Sequence, residues 1–159
     1  MSDFGSPERT FSEDRPLLYT RQEQTMFQYV HHVHYVVNSR DAMVEYLEKN
    51  FGMKPDFVGV NHNGKEAQYN IGKTQIQIAE PSDPNSKQGQ FLAKHGPGVF
   101  HVAWGVDNIQ QLARDLTANG NKMEMREEGG IGKSTAHGYL VCNLDAASSL
   151  GVRFQLVAA

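Results

Sequence analysis

The sequence predicts an α+β fold of two paired β-α-β-β-β modules, whose half-sheets form a curved, partly open, barrel-like mixed sheet with helices on the outside. Three observations predict it. A strand-like run, a capped amphipathic helix and three further strand-like stretches occur twice within 159 residues. HVHYVVNSRDAMVEYL, starting at His32, aligns with HVAWGVDNIQQLARDL, starting at His101, so that His falls on His, Val on Val, and Val37 on Val106. The closing strands also correspond, Gln77 in IQIAEP matching Gln155 in FQLVAA.

Residues 1–26 are rich in Ser, Asp, Glu, Arg and Pro without periodicity and read as a mobile N-terminal arm. Residues 27–159 read as a single domain, with modules at 27–80 and 98–157 and a linker with a short helix at 81–97. The first strand is expected over Phe27 to Val37. Ser39 then caps a helix with an apolar stripe of Ala42, Met43, Tyr46 and Leu47, ended by Gly52. Strands follow near Phe57 to Val60, Lys65 to Asn70 and Thr74 to Ile78, separated by the turn signals NHNG and IGK. After EPSDPNSKQG and the short helix QFLAKHG the pattern restarts. Asp107 or Asn108 caps a helix striped with Ile109, Leu112, Ala113 and Leu116 and closed by Gly120. The remaining strands are expected near Lys122 to Arg126, Tyr139 to Asn143 and Val152 to Val157. GGIGKS, from Gly129 to Ser134, lacks P-loop spacing and context and reads as a flexible lid.

Composition removes several functions. Net charge is −3 with both signs interspersed, so no basic stripe offers a footprint for nucleic acid. No apolar run approaches the roughly 20 residues that span a bilayer, and the arm is too polar for a signal peptide. A cytoplasmic protein without membrane partners is expected. The single cysteine, Cys142, fits a reducing compartment and reads as a small apolar strand residue.

Alternation along the first strands separates two faces. His32, His34 and Val36, with their counterparts His101, Ala103 and Gly105, line a cavity. Val33, Tyr35 and Val37, with Val102, Trp104 and Val106, lie beneath the helices, and His31 falls on that outer face or at the strand edge. Gln77 and Gln155 stand between apolar neighbours, which points them into the cavity. Two histidines and two amide oxygens converging from two half-sheets make a four-point cation site at His32, Gln77, His101 and Gln155. His34 is then a pocket residue, joined by His137, which precedes a strand bordering the cavity.

These residues carry a resemblance. Paired modules with a first-strand His and a last-strand polar ligand resemble the vicinal oxygen chelate superfamily of glyoxalases, epimerases, dioxygenases and antibiotic-binding proteins, over about Phe27 to Val157. TQIQIAEPSDP, QFLAKHGPGVFHVAWGVDNI and LGVRFQLV are most similar to methylmalonyl-CoA epimerase. HVHYVVNSRDAMVEYLEKNFGMKP also resembles the start of the amino-terminal domain of hydroxyphenylpyruvate dioxygenase. The resemblance implies a divalent metal (Co, Ni, Mn, Zn or Fe) on His32, Gln77, His101 and Gln155. It further implies enolate-forming proton transfer on a 2-substituted acyl thioester such as a CoA ester, and a homodimer. Gln155 departs from the family, which has Glu there, and VNHNGKEAQ lacks the family's acidic residue before its glycine. His62 or Glu66 is left as acid or base, and Lys133 could meet an anionic substrate tail. The alternatives are a glyoxalase-type lyase, an Fe(II) extradiol or 2-oxoacid dioxygenase, and a metal-free small-molecule binding protein.

Overall fold

The computed structural model describes residues 26–124, 130–134 and 138–158; the expected arm, apart from Met26, and His137 lie outside them. In chain order the elements are β1 (Tyr29–Val36), α1 (Arg40–Phe51), β2 (Phe57–Asn61), β3 (Gly64–Ile71), β4 (Thr74–Pro81) and α2 (Lys87–His95), followed by β5 (Gly98–Gly105), α3 (Ile109–Ala118), β6 (Ile131–Lys133), β7 (Leu140–Asn143) and β8 (Phe154–Ala158). The strands form one eight-stranded mixed sheet in the order β2-β3-β4-β1-β5-β8-β7-β6. Exchanging the two halves leaves that order unchanged, with β1 and β5 antiparallel at the centre. Each half contains one parallel pair, β1 with β4 and β5 with β8. β2 and β6 are the edges, so the sheet does not close into a barrel.

Local sequence explains the helices. Ser39 Oγ accepts from Ala42 N at the start of α1, and Gly52 ends it at a φ of 66°, a left-handed value that favours glycine. The buried stripe differs from the expected one. Met43, Val44 and Leu47 pack on Val37, Ala67, Tyr69 and Ile78, whereas Ala42 is exposed and Tyr46 meets the Phe51 ring edge-on at the surface. Arg40 explains this rotation: it is buried, and its guanidinium donates to the carbonyl oxygens of Gly59 and Glu66 at 3.1 and 2.9 Å. A polar anchor at the first position thereby selects the face at i, i+3, i+4 and i+7. For α3, Asn108 Oδ1 accepts from Gln111 N, and the expected stripe of Ile109, Leu112, Ala113 and Leu116 packs with Val106, Cys142 and Leu156. α1 and α3 thus each cover the outer face of their own half-sheet, whereas α2 reaches the cleft side, where Gln88 meets His34.

Of the strand expected near Lys122 to Arg126, Met125 and Arg126 lie outside the described residues. Among the described residues there, only Met123 makes a β-bridge, to Leu144. The strand that pairs with β7 is β6, taken from the expected lid: Ile131, Gly132 and Lys133 face Cys142, Val141 and Leu140. Three residues containing a glycine are too short for period-two alternation to register. No described helix is long and apolar enough to cross a membrane.

Candidate functional site

The register assembles two polar rows across the inner face of the sheet. One runs Gln68, Gln77, His34, His101 through β3, β4, β1 and β5. The other runs Asn143, Gln155, Ala103, His32 through β7, β8, β5 and β1. The rows correspond under exchange of the two halves, so each histidine of the repeat ends a row that begins with two amides. They floor a cleft of about 330 Å³.

His32 and His101 converge. Their Nε2 atoms lie 3.1 Å apart although the residues are 69 positions distant in the chain. Two nitrogens each about 2.1 Å from one ion, at angles between square and tetrahedral, are separated by roughly 3.0–3.4 Å, so the spacing fits two ligands of one cation. Gln155 Nε2 donates to Asn143 Oδ1 at 2.9 Å, which leaves its carbonyl oxygen as the end of the amide that can meet a cation in the cleft. Gln77 Oε1 is the acceptor of a 3.1 Å hydrogen bond from His34 Nδ1 and keeps its second lone pair. The two imidazole nitrogens are spaced to fit a divalent ion, and Gln77 and Gln155, which line the same cleft, are the amides whose oxygens would complete the set. Without a carboxylate or thiolate in that set, it leaves the ion's charge uncompensated.

His34 plays a different part from the other two. Because Gln77 Oε1 can only accept, Nδ1 of His34 carries the proton, and its bare Nε2 accepts from Gln88 Nε2 of α2 at 3.2 Å. Its ring stacks on His101 at 4.9 Å and 15°. Burial holds His34 below the usual histidine range, against the opposing hydrogen bond to Gln77. His101 is driven well below that range, first by burial, then by His34, His32 and Arg153 around it. Both rings are neutral at neutral pH, the state in which imidazole can ligate. Among the described residues, no group of three or more His, Cys, Asp or Glu is arranged to hold a metal ion. This agrees with His34 having both nitrogens engaged elsewhere.

The other expected site residues separate. Glu66 lines the cleft, two residues along β3 from Gln68 and on the same face. Its neighbour in charge, Glu124, is bound by Lys87 at 2.8 Å and by Arg153 at 3.3 Å, and Arg153 lies 4.7 Å over the Phe100 ring. His62 is exposed on the turn between β2 and β3, and Lys133 is exposed at the end of β6; neither is among the residues lining the cleft. His137 lies outside the described residues.

His31 is the main correction. It is only 5% exposed, its Nδ1 lies 2.9 Å from His32 Nδ1, and its ring meets the Tyr139 ring edge-on at 4.9 Å. Alternation fails because β1 is bulged: Val30 pairs with Trp104 and His32 with Ala103, leaving His31 as an extra residue. Gln68, Asn143 and Gln88 were also missed. Gln68 and Asn143 carry the signal that identified Gln77 and Gln155, an amide between apolar neighbours, one strand earlier in each module.

Several solved structures share this architecture. Methylmalonyl-CoA epimerase from Mycobacterium tuberculosis is similar with a TM-score of 0.74 and 24% identity, covering 85% of this chain and 90% of that one. A Ser-to-Thr variant of Streptomyces coelicolor methylmalonyl-CoA epimerase, in complex with 2-nitronate-propionyl-CoA, is 26% identical over 84% of this chain and 95% of that one, with a TM-score of 0.74. A methylmalonyl-CoA epimerase in complex with methylmalonyl-CoA and NH4+ is 25% identical over 84% and 95%, with a TM-score of 0.73. No curated protein matches the chain in sequence. Residues 31–142, well over half of the chain, match the Glyoxalase/Bleomycin resistance protein/Dioxygenase superfamily, and together with the paired-module sheet this establishes that the chain belongs to that superfamily.

Proposed function

We propose that the chain is a metal-dependent isomerase that moves the proton α to the carbonyl of a small 2-substituted acyl thioester, as an epimerase would. The observation that carries this reading is the 3.1 Å approach of His32 Nε2 and His101 Nε2, flanked by Gln77 and Gln155. When bound there, a divalent ion (Co, Ni, Mn, Zn or Fe) would supply positive charge beside the thioester oxygen and so acidify the adjacent carbon. The solved epimerase complexes contain methylmalonyl-CoA or a propionyl-CoA analogue, which favours a CoA ester as the substrate class.

The protein's own groups then divide the work. Glu66 takes the α-proton: it lines the cleft, and among the described residues its carboxylate carries no ion pair, in contrast to Glu124. On the side of the second half-sheet, the described hydroxyls facing the cleft near β6 and β7 are Ser134 and Tyr139, and one of them, or His137, returns the proton to the opposite face. Phe100 and Val141 provide apolar wall that keeps water from the carbanion-like carbon. His62 and Lys133 act, if at all, from outside the cleft. A homodimer in the cytoplasm completes this reading.

Loss of α-deuterium from 2-substituted acyl-CoA esters, followed with and without added metal, tests it against oxygen uptake with aromatic 2-oxoacids. Metal-dependent loss of label supports the isomerase, whereas oxygen uptake without exchange replaces it with a dioxygenase. A second reading, a metal-free small-molecule binding protein, is favoured by the uncharged donor set. Silence in both assays with tight ligand binding would select it.

A further inference from the structure

Both modules bulge at the residue preceding the histidine on which the two repeats align. In β1 the extra residue is His31, between Val30 and His32; in β5 it is Phe100, skipped between the pairs His34 with His101 and Tyr35 with Val99. A bulge sets two residues of one strand opposite one of its neighbour and re-aims the side chain that alternation would send to the other face. The two bulges differ in what they deliver. Phe100 lays an apolar ring beside His101 at 5.5 Å, whereas His31 places a ring nitrogen 2.9 Å from His32 Nδ1.

We propose that His31 is a positioning residue that fixes the ring orientation and tautomer of His32. The proposal rests on the reading of His32 as a cation ligand. His32 has both nitrogens committed, Nδ1 to His31 at 2.9 Å and Nε2 toward His101 at 3.1 Å. A contact between two ring nitrogens holds one hydrogen. For Nε2 of His32 to offer a lone pair, its single proton must sit on Nδ1 and be donated to Nδ1 of His31, which then carries its own proton on Nε2. A ligating histidine ordinarily donates its second N–H to a carboxylate, carbonyl or water. Here an imidazole stands in that position. Tyr139, edge-on to His31 at 4.9 Å with the rings inclined by 76°, limits the swing of the His31 ring, and burial to 5% exposure keeps solvent from replacing it. In β5 the bulged residue is Phe100, which offers the His101 ring no hydrogen bond; that ring stacks on His34. The two histidines of the repeat are therefore equivalent in position and different in support.

The internal counterpart supplies the test variant. His31→Phe gives β1 the residue that β5 carries, and His31→Gln retains an acceptor. In the full chain, ring nitrogen-15 shifts of metal-free protein report the His32 tautomer, and cobalt(II) titration against a competing chelator reports affinity. In the wild type, His32 is expected as the Nδ1–H tautomer. In His31→Phe that tautomer is lost and cobalt affinity falls about 10–100-fold; in His31→Gln both largely return. Unchanged tautomer and affinity in His31→Phe overturn the proposal, as does a His31→Gln as impaired as His31→Phe, since the loss would then be one of packing. If wild-type protein binds no cobalt, the metal reading fails, and the tautomer comparison alone decides the role of His31. Should His31→Phe not fold, His31→Met takes its place in the same two measurements.

Discussion

The Gln155 amide nitrogen donates to Asn143 Oδ1 at 2.9 Å, and this single bond determines which end of Gln155 the cleft sees. With the nitrogen engaged, the carbonyl oxygen is the end left for His101 and for any cation between the two rows. An amide so oriented imitates a carboxylate's oxygen without its charge.

Gln155→Glu is accordingly expected to raise divalent-metal affinity by about tenfold or more, roughly 1.4 kcal/mol, since it adds a full negative charge at a position already aimed at the ion. Asn143 can turn its own amide nitrogen to the new carboxylate. Chelator-competition titration of cobalt(II) measures this. An unchanged affinity would remove Gln155 from the ligand set.

The sheet and two of its helices were legible because periodicity and capping are local. Asn108 and the stripe Ile109, Leu112, Ala113 and Leu116 required nothing beyond the helix itself. The rows were half read: Gln77 and Gln155 stood out between apolar neighbours and in the repeat, whereas Gln68 and Asn143 carry the same local mark, and what it means for them emerges only from the pairing between strands. His31 was beyond the reach of pattern reading, because a bulge inverts facing without any local mark in the sequence. The rotation of α1 was hidden for a related reason: it is set by Arg40 reaching the carbonyls of Gly59 and Glu66, residues of two other strands.

Leu156 tests the fold independently of the site. It is fully buried on the outer face of β8, next in sequence to Gln155, against Val106, Ile109 and Cys142. Leu156→Ala is expected to cost about 2–5 kcal/mol through lost burial and the cavity left behind. Urea denaturation monitored by circular dichroism reads the loss directly. A cost below about 1 kcal/mol would mean that this helix-covered face is not the core of the second half.

Acid should destabilise the metal-free protein by way of its buried rings. His34 and His101 both have native pKa values depressed from the ordinary 6.5, chiefly by burial. For a depressed group the unfolded chain takes up the proton first. The contribution to stability is complete above about pH 6.5 and is lost as pH falls from there through the lower native values. Each ring adds a slope of up to about 1.4 kcal/mol per pH unit in that window. Denaturation midpoints measured from pH 8 to pH 5 should fall, and His34→Gln should reduce the fall. A pH response identical in that variant would contradict a neutral, buried His34.

Glu66 and His62 offer the sharpest test of the proposed chemistry, because the sequence left them as equals and the structure does not treat them alike. Glu66 lines the cleft on the face that carries Gln68, while His62 is exposed on the turn ahead of β3 and outside the cleft lining. A general base contributes about 10²–10⁴-fold to proton transfer. Glu66→Gln, which keeps size and removes the basic oxygen, is expected to slow α-deuterium exchange by that factor while leaving metal affinity within about twofold of the wild type, a difference of roughly 0.4 kcal/mol. His62→Gln is expected to leave both unchanged. Exchange rates for both variants, measured on protein loaded with the same metal, decide between them. Full exchange in Glu66→Gln with loss in His62→Gln would require the turn to fold over the cleft when substrate binds, and would transfer the role of base to His62.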